Sequence, residues 1–297
     1  MHDDLLPHET SIQTAIARLL KQELNCASNL LTFGISLMGK KDLHQVHLPH
    51  DSVVTAVGLF VKASISFRAI IHLCAAGLDR SAMPVSRSLF ETSLNLTFLI
   101  RRRVVLYQFN DSKRKPRTKW ELFGKRLSPR FRTALYNAWC VLKDEKMAND
   151  QSRTPGLKRA GRRFRKKLDE VVRPYVDDIG SDWESRIKGK NTCVGLSISD
   201  FAASLGNNFQ RWHRIVYALD SQSVHQTDML NYLTANEETA AFSPRWHSSP
   251  QEVKEALHKA SVTYHCCVDE LNRRFDFGKN ETDAIKQFSD SLLRWID

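Results

Sequence analysis

The chain has 297 residues, of which 42% are hydrophobic and 9% aromatic, and this is ample for a sizeable core in one large domain or two. Only 12 glycines and 9 prolines occur, 3.6-residue periodicity is extensive, and no convincing alternating pattern argues for strands. These features predict an all-α protein, a helical bundle with short loops. The formal net charge of +11 is unevenly distributed.

Two helices are predicted before residue 80. The first runs over residues 10–38 and carries an apolar stripe at helical spacing. The second, over residues 53–76, is apolar almost all round and long enough to cross a bilayer. Lys62, Arg68 and His72 interrupt it, however, and three ionisable groups favour a helix buried in a bundle. No membrane association is therefore predicted.

Gly77 is predicted to end the second helix as a C-cap, and Asp79 or Ser81 to begin the third, with Pro84 in its first turn. This third helix carries the candidate site. Arg87 and Glu91 are four residues apart, so both lie on one face and each can hold the other's charge. One interpretation is a structural ion pair that ties helices together. The other is a polar site in the core that a distant histidine, His225, completes.

Residues 101–190 hold the excess positive charge. They contain 26 of the 44 lysines and arginines but only 11 of the 33 acidic residues, a net charge of +15 on an otherwise mildly acidic chain. Such a segregated segment is typical of a polyanion-binding surface, so RNA or DNA is the expected partner. The alternatives are a solvated basic surface or a protein contact. The densest cations are Lys158, Arg159, Arg162, Arg163, Arg165, Lys166 and Lys167.

This dense run offers phosphate contacts but little base stacking, because only Phe164 is interleaved. We therefore expect binding without much sequence choice. Before this run, the capping box Thr118-x-x-Glu121 predicts the start of a helix. After it, residues 180–198 are expected to form a linker. Ser199 is predicted to cap a short helix.

Near the C-terminus, Ser249-Pro250-Gln251-Glu252 is a capping box that predicts a helix to about residue 275. His258, His265 and Asp269 share one face of that helix, but the set lacks a further ligand. No metal site and no cofactor are predicted. The last helix is expected to dock on the bundle or on a second subunit, which leaves a homo-oligomer open.

Four features of the chain together resemble a known family. They are a long amphipathic helix, an apolar helix, the segment Arg87-Ser88-Leu89-Phe90-Glu91 and, later in the chain, Tyr217...Ser221-x-x-Val224-His225. The family is the bacterial domain-of-unknown-function family numbered five-six-seven-seven, and the resemblance covers residues 10–105 and 205–275. The resemblance implies an all-helical fold and a polar cluster of Arg87, Glu91 and His225. It implies no reaction.

Two functional hypotheses follow. The first is an RNA-directed protein and, in its more specific form, a metal-independent endoribonuclease of the toxin or phage-defence kind. In that enzyme His225 would be the general acid or base, and Arg87 and Glu91 would orient the histidine or the phosphate. This is a distant analogy to HEPN ribonucleases, because no Arg-x4-6-His motif is present. The second is a non-catalytic binding or scaffold protein in which the Arg-Glu-His cluster only locks the core.

The predicted organisation is a helical core bundle from residues 1–100 and 191–297, with a basic helical insertion at 101–190. The first ten residues contain Asp3, Asp4 and Glu9 in place of a basic and then apolar start, and the six cysteines show no Cys-x-x-Cys spacing. A cytoplasmic location is therefore expected. Walker, Gly-x-Ser-x-Gly and His-Glu-x-x-His motifs do not occur, so the sequence gives no support to those enzyme classes.

Overall fold

The protein is described from a computed structural model. The described residues are 8–40, 48–109, 116–119, 127–150, 166, 169–170, 173, 183–217, 233–236, 241–244 and 248–295. The all-α class is confirmed, because helices dominate these residues. By contact, the chain divides into two compact units. Unit 1 comprises Met1–Val46, Val57–Ser93 and Trp212–Asp297, and unit 2 comprises His47–Ala56 and Leu94–Arg211.

Helices make up most of the described chain. In chain order they are α1 (Glu9–Leu19), α2 (Lys21–Leu37), α3 (His50–Ala75), α4 (Asp79–Ile100), α5 (Pro129–Asp150), α6 (Trp183–Ile187), α7 (Ile198–Ser204), α8 (Asn207–Trp212), α9 (Pro250–Phe275) and α10 (Lys279–Leu293). A π-helical turn, His213–Tyr217, continues directly from α8. The unit boundaries fall within α3 and α4 as well as at the end of α8.

Two small antiparallel ribbons were not predicted. Strand β1 (Tyr107–Phe109) pairs with β2 (Pro116–Lys119), and β3 (Leu233–Asn236) pairs with β4 (Ala241–Pro244). Thr118 lies opposite Gln108 in the first ribbon, so the predicted helix start at Thr118 is wrong. The capping-box spacing is a local pattern, and at Thr118 and Lys119 a cross-strand pairing stands where it places the start of the helix. Residues 120–126, the body of the predicted helix, lie outside the described residues.

The core of unit 1 is built around one tyrosine of α9. The Tyr264 ring is buried and stacks on Phe67 and Phe60 of α3, with ring centroids 4.6 and 5.7 Å away. Its Oη lies 2.9 Å from Ser64 Oγ, and Ser64 donates its own hydrogen to the Phe60 carbonyl. The tyrosine hydroxyl is therefore the donor to Ser64, which satisfies the buried phenol.

Gly34 lets α2 approach this tyrosine closely. A Cβ atom at position 34 would lie only 2.5 Å from Tyr264 Oη and 3.1 Å from the ring itself. No real Cβ atom sits that close to an oxygen, so a side chain here requires the tyrosine to move. The absence of a side chain at Gly34 therefore permits the contact between α2 and α9.

The core of unit 2 contains a buried cation. Arg132 of α5 is 0% exposed, donates from Nη2 to the carbonyl of Arg101, and holds its guanidinium 5.6 Å from the centre of the Phe98 ring. Phe98 also packs edge-on against Phe201 of α7, at 5.4 Å. Because a buried charge is costly without partners, these contacts offset part of the cost of burying Arg132.

Several local boundaries differ from those predicted. The first helix divides at Leu20, which separates α1 from α2. Residues 183–197 are packed rather than a linker, since Ile187, Cys193 and Val194 are fully buried. Ser197, not Ser199, caps α7, and its hydroxyl accepts from the Asp200 N–H. The Ser249 capping box is confirmed with both of its hydrogen bonds.

The apolar helix α3 is, by length and composition alone, able to cross a membrane, and it is the one such helix in the described chain. In the fold it contributes Phe60, Ala63, Phe67 and Ile70 to the buried core. Its opposite face exposes Val61 and Ile65. Protein burial accounts for the apolar character of the inner face, and the expectation of no membrane association stays a prediction.

Candidate functional site

Arg87 and Glu91 form the ion pair that their spacing predicts. Both lie on α4, and Arg87 Nε is 3.3 Å from Glu91 Oε1. The side chains are 21% and 32% exposed, so the pair is neither deeply buried nor freely solvated. The structural ion pair that ties helices together and the polar site completed by His225 both stay predictions, and the partial exposure leaves Arg87 and Glu91 within reach of solvent.

A histidine that sequence reasoning did not select contacts the buried Phe90 of the same helix. The ring of His213 is 6.3 Å from that of Phe90, which occupies the turn between Arg87 and Glu91. Burial, and then the charge of Arg214, lower the pKa of His213 below its ordinary value. A neutral imidazole is therefore favoured there, and a neutral imidazole can accept a proton.

His213 opens the π-helical turn, a rare local geometry that is enriched at functional sites. The sequence placed His213 on an ordinary helix with Arg211 and Arg214, and nothing in the local pattern marks the extra residue per turn. The contact between Phe90 and His213 joins residues far apart in the chain. Only the tertiary fold could have revealed it.

His225, predicted as the acid or base, lies outside the described residues. The same holds for Lys158, Arg159, Arg162, Arg163, Arg165 and Lys167 of the basic run. Lys166 is described: it is exposed and lies 4.0 Å from the Glu170 carboxylate. The structure therefore brings together Arg87 and Glu91, and their predicted association with His225 stays a prediction.

Not every cation of segment 101–190 faces solvent. Arg132 is buried, and Arg101 donates to the carbonyl of Leu205 while stacking 5.5 Å from the Phe209 ring centre. These two arginines serve the core of unit 2. Among the described residues of the segment, the exposed cations are Arg102, Arg103, Arg130, Lys143, Lys166, Arg173, Lys188 and Lys190.

The histidines of α9 are engaged with backbone atoms. His258 Nε2 lies 3.0 Å from the Leu292 carbonyl, and His265 Nε2 lies 2.9 Å from that of Ile285. Asp269 pairs with Arg273 at 2.7 Å. The two histidines of this face therefore bind the backbone of α10, and Asp269 forms an ion pair with Arg273 on the surface. No grouping suited to a metal ion occurs among the residues that the structure describes.

The protein is therefore all-α, and its helix α4 carries a partly exposed ion pair of Arg87 and Glu91. The chain belongs to DUF5677, a family of unknown function, whose family model matches residues 53–240. This range contains Arg87, Glu91 and the segment with His225, and the family inferred from the sequence is thereby confirmed. The predicted bounds of the resemblance were wrong, because the match includes residues 106–204 and does not include residues 10–52 or 241–275. No curated protein and no solved structure matches the chain.

Proposed function

We propose that the protein is a cytoplasmic RNA-directed protein that binds its nucleic acid through segment 101–190. The observation that carries this proposal is the charge of the segment, 26 lysines and arginines against 11 acidic residues. Lysines and arginines that neutralise phosphates release the counterions condensed on the nucleic acid, and this release favours binding. Because phosphates are the same at every base, such binding depends little on the nucleotide sequence.

The described surface supports the proposal. Eight cations of the segment are exposed there, whereas Asp169 and Glu170 are its exposed acidic side chains in the same described residues. Lys166 and Lys188 have carboxylate neighbours, at 4.0 and 3.0 Å, and both pairs are i,i+4 contacts on helical surfaces. Such pairs are weak in water and a phosphate can displace them.

The test compares two charge-reversal variants in a binding assay with fluorescent single-stranded RNA. One variant changes Arg162, Arg163, Arg165 and Lys166 to Glu. The control changes the same number of exposed cations of unit 1, namely Lys21, Lys62, Lys279 and Arg294. Both variants alter the net charge equally, so only the location of the charge differs between them.

We expect the first variant to lower affinity roughly 100-fold near physiological salt and to reduce the slope of log K against log salt by roughly 3, about 0.7 per lost phosphate contact. The control should keep the slope of the wild type. Equal losses in both variants would show that net charge alone attracts RNA. Unchanged affinity in the first variant would instead favour a protein partner.

Metal-independent RNA cleavage is the second candidate function. The observation that favours it is the partial exposure of Arg87 and Glu91, because a phosphate must reach the arginine that would stabilise it. In this proposal His225 moves protons at the 2′-hydroxyl, and Glu91 orients Arg87 or the histidine.

The cleavage test uses a labelled RNA pool in EDTA, with the wild type, His225→Ala and His213→Ala. Circular dichroism establishes that each variant is folded. Activity lost only with His225→Ala supports the proposed centre. Activity lost only with His213→Ala transfers the acid-base role to the π-helical turn. If the wild type binds RNA without cleaving it, the protein is a binding module and the Arg87–Glu91 pair is architectural.

A further inference from the structure

The exposed side of α3 follows a heptad pattern. Along this helix, alternating steps of three and four residues connect seven exposed positions, which are Asp51, Val54, Gly58, Val61, Ile65, Arg68 and His72. These seven residues form the outer stripe of α3. In a coiled coil, positions with this spacing make the seam along which two helices meet. Because α3 is one uninterrupted helix, their order along the stripe follows from the helix alone.

The middle of the outer stripe is apolar. Val54, Val61 and Ile65 are 54%, 48% and 65% exposed. Lys62 flanks them, and its alkyl chain can extend the apolar surface. Single exposed apolar side chains are ordinary, whereas a contiguous row of them marks an interaction surface. A second helix is the natural cover for a row that follows one side of a helix.

Gly58 lies within this apolar row. A Cβ atom at position 58 would have no heavy atom of the described residues within 4 Å, so no contact within that part of the chain requires a glycine. Glycine inside a helix is less favourable than alanine, because it loses more conformational freedom on folding. A second helix that approaches α3 closely at this point would make use of the missing side chain.

The outer stripe is complementary to itself when two copies of α3 run antiparallel. With the two-fold axis at the middle of the apolar row, Gly58 faces the partner's Val61, and Val54 faces the partner's Ile65. Each apolar position thus meets another apolar position. A two-fold interface between identical chains requires this kind of self-complementary surface.

The charges near the two ends of the stripe favour the same arrangement. Asp51 lies in the first turn of α3 and is 89% exposed, and Arg68 is exposed toward the other end of the helix. In the antiparallel register Asp51 faces the partner's Arg68, and symmetry repeats the pair. A parallel pair in register would set each residue against its own copy, and like charges repel.

We propose that the outer stripe of α3 is the interface of an antiparallel homodimer. A contact made by one helix from each copy buries little area, so the dimer exchanges with the monomer, with a Kd on the order of 10 μM. A membrane would be a poor cover for the whole stripe, because Asp51 and Arg68 would have to enter it. The interface lies outside segment 101–190 and is independent of the proposed RNA binding.

Sedimentation equilibrium of the full-length protein, from about 1 to about 200 μM, measures the association. We expect the average mass to rise with concentration from the 34.1 kDa of one chain toward twice that value. Ile65→Glu would bury two unpaired carboxylates in the contact, so this variant should stay monomeric. Leu293→Glu on α10, where the leucine is 62% exposed, is the matched control and should associate as the wild type does.

Charge exchange then tests the antiparallel register. Asp51→Arg and Arg68→Asp each create two like-charge contacts in the dimer, and we expect each to weaken association roughly tenfold. An equimolar mixture of the two variants should recover the association, because every contact then joins a cation to a carboxylate. The variant with both changes should dimerise as the wild type does. Recovery in the mixture also shows that neither variant is misfolded.

Three results would overturn the proposal: the wild type is monomeric over the whole range, Ile65→Glu associates as the wild type does, or the single charge variants associate undiminished. If Ile65→Glu does not fold, the mixture of charge variants still decides. A monomeric wild type that floats with phosphatidylcholine vesicles would assign the outer stripe to a lipid surface instead. Loss of RNA binding would leave all of these readouts intact.

Discussion

Each of the two units buries a polar head group against aromatic rings, and the two groups differ in charge and in the number of hydrogen-bond donors. In unit 1 the group is the neutral hydroxyl of Tyr264, which needs only Ser64 to accept its proton. In unit 2 it is the guanidinium of Arg132, held by the Arg101 carbonyl and the Phe98 face. A phenol is satisfied by one acceptor, whereas a guanidinium carries five donors and a full charge.

This difference shows that charge content and surface charge are separate quantities. Arg101 and Arg132 belong to the basic segment by sequence, yet backbone carbonyls and aromatic rings hold both. A count of cations therefore overstates the charge that unit 2 offers to a polyanion. The contrast also implies that mutations of the two buried head groups differ in cost, and the expected effects can be ranked.

The largest effect is expected for Arg132→Ala. The variant removes a fully buried side chain, leaves the Arg101 carbonyl without its donor and empties the space beside Phe98. We expect a loss of about 3–5 kcal/mol in the free energy of unfolding, measured in urea. Arg132→Met restores volume without charge and should recover only part of this loss. A methionine variant as stable as the wild type would show that the guanidinium contributes nothing beyond its volume.

Tyr264→Phe should have an intermediate effect. It removes one buried hydrogen bond, while Ser64 keeps its bond to the Phe60 carbonyl and the rings stay stacked. We expect a loss of about 1 kcal/mol in the free energy of unfolding. In a double-mutant cycle, adding Ser64→Ala to Tyr264→Phe should cost less than Ser64→Ala alone costs in the wild type. Strict additivity would contradict the assigned hydrogen bond.

Arg87→Ala should have the smallest effect on stability. The Arg87–Glu91 pair is an i,i+4 contact with both side chains partly exposed, and such pairs contribute about 0.3–0.5 kcal/mol. The loss should shrink further in 1 M salt, and chemical denaturation at low and high salt measures both. A loss above 2 kcal/mol would mean that the pair is a structural element of the core.

Patterns with a local cause could be predicted from the sequence. The Ser249 capping box is satisfied entirely within one helical turn, and the bend at Gly77 needs only the positive φ of 73° that glycine adopts freely. The spacing of Arg87 and Glu91 likewise fixes their contact, because i,i+4 neighbours meet on any helix.

Features that depend on distant parts of the chain could not be predicted. Thr118 forms a strand because Gln108 lies opposite it, and the segment around Cys193 is buried because unit 2 packs over it. The candidate site shows the same limit. The approach of His213 to Phe90 joins α4 to a residue more than 100 positions away. No periodicity or spacing encodes such pairs.

The close approach of Gly34 to Tyr264 also makes these two positions epistatic. Alanine at position 34 collides first with the hydroxyl oxygen, and once that atom is gone the nearest ring carbons are 3.1 Å away. Phenylalanine at position 264, mildly harmful on its own, should thus act as a genetic suppressor of Gly34→Ala. The order in which the two changes arise would then decide whether a lineage can acquire both.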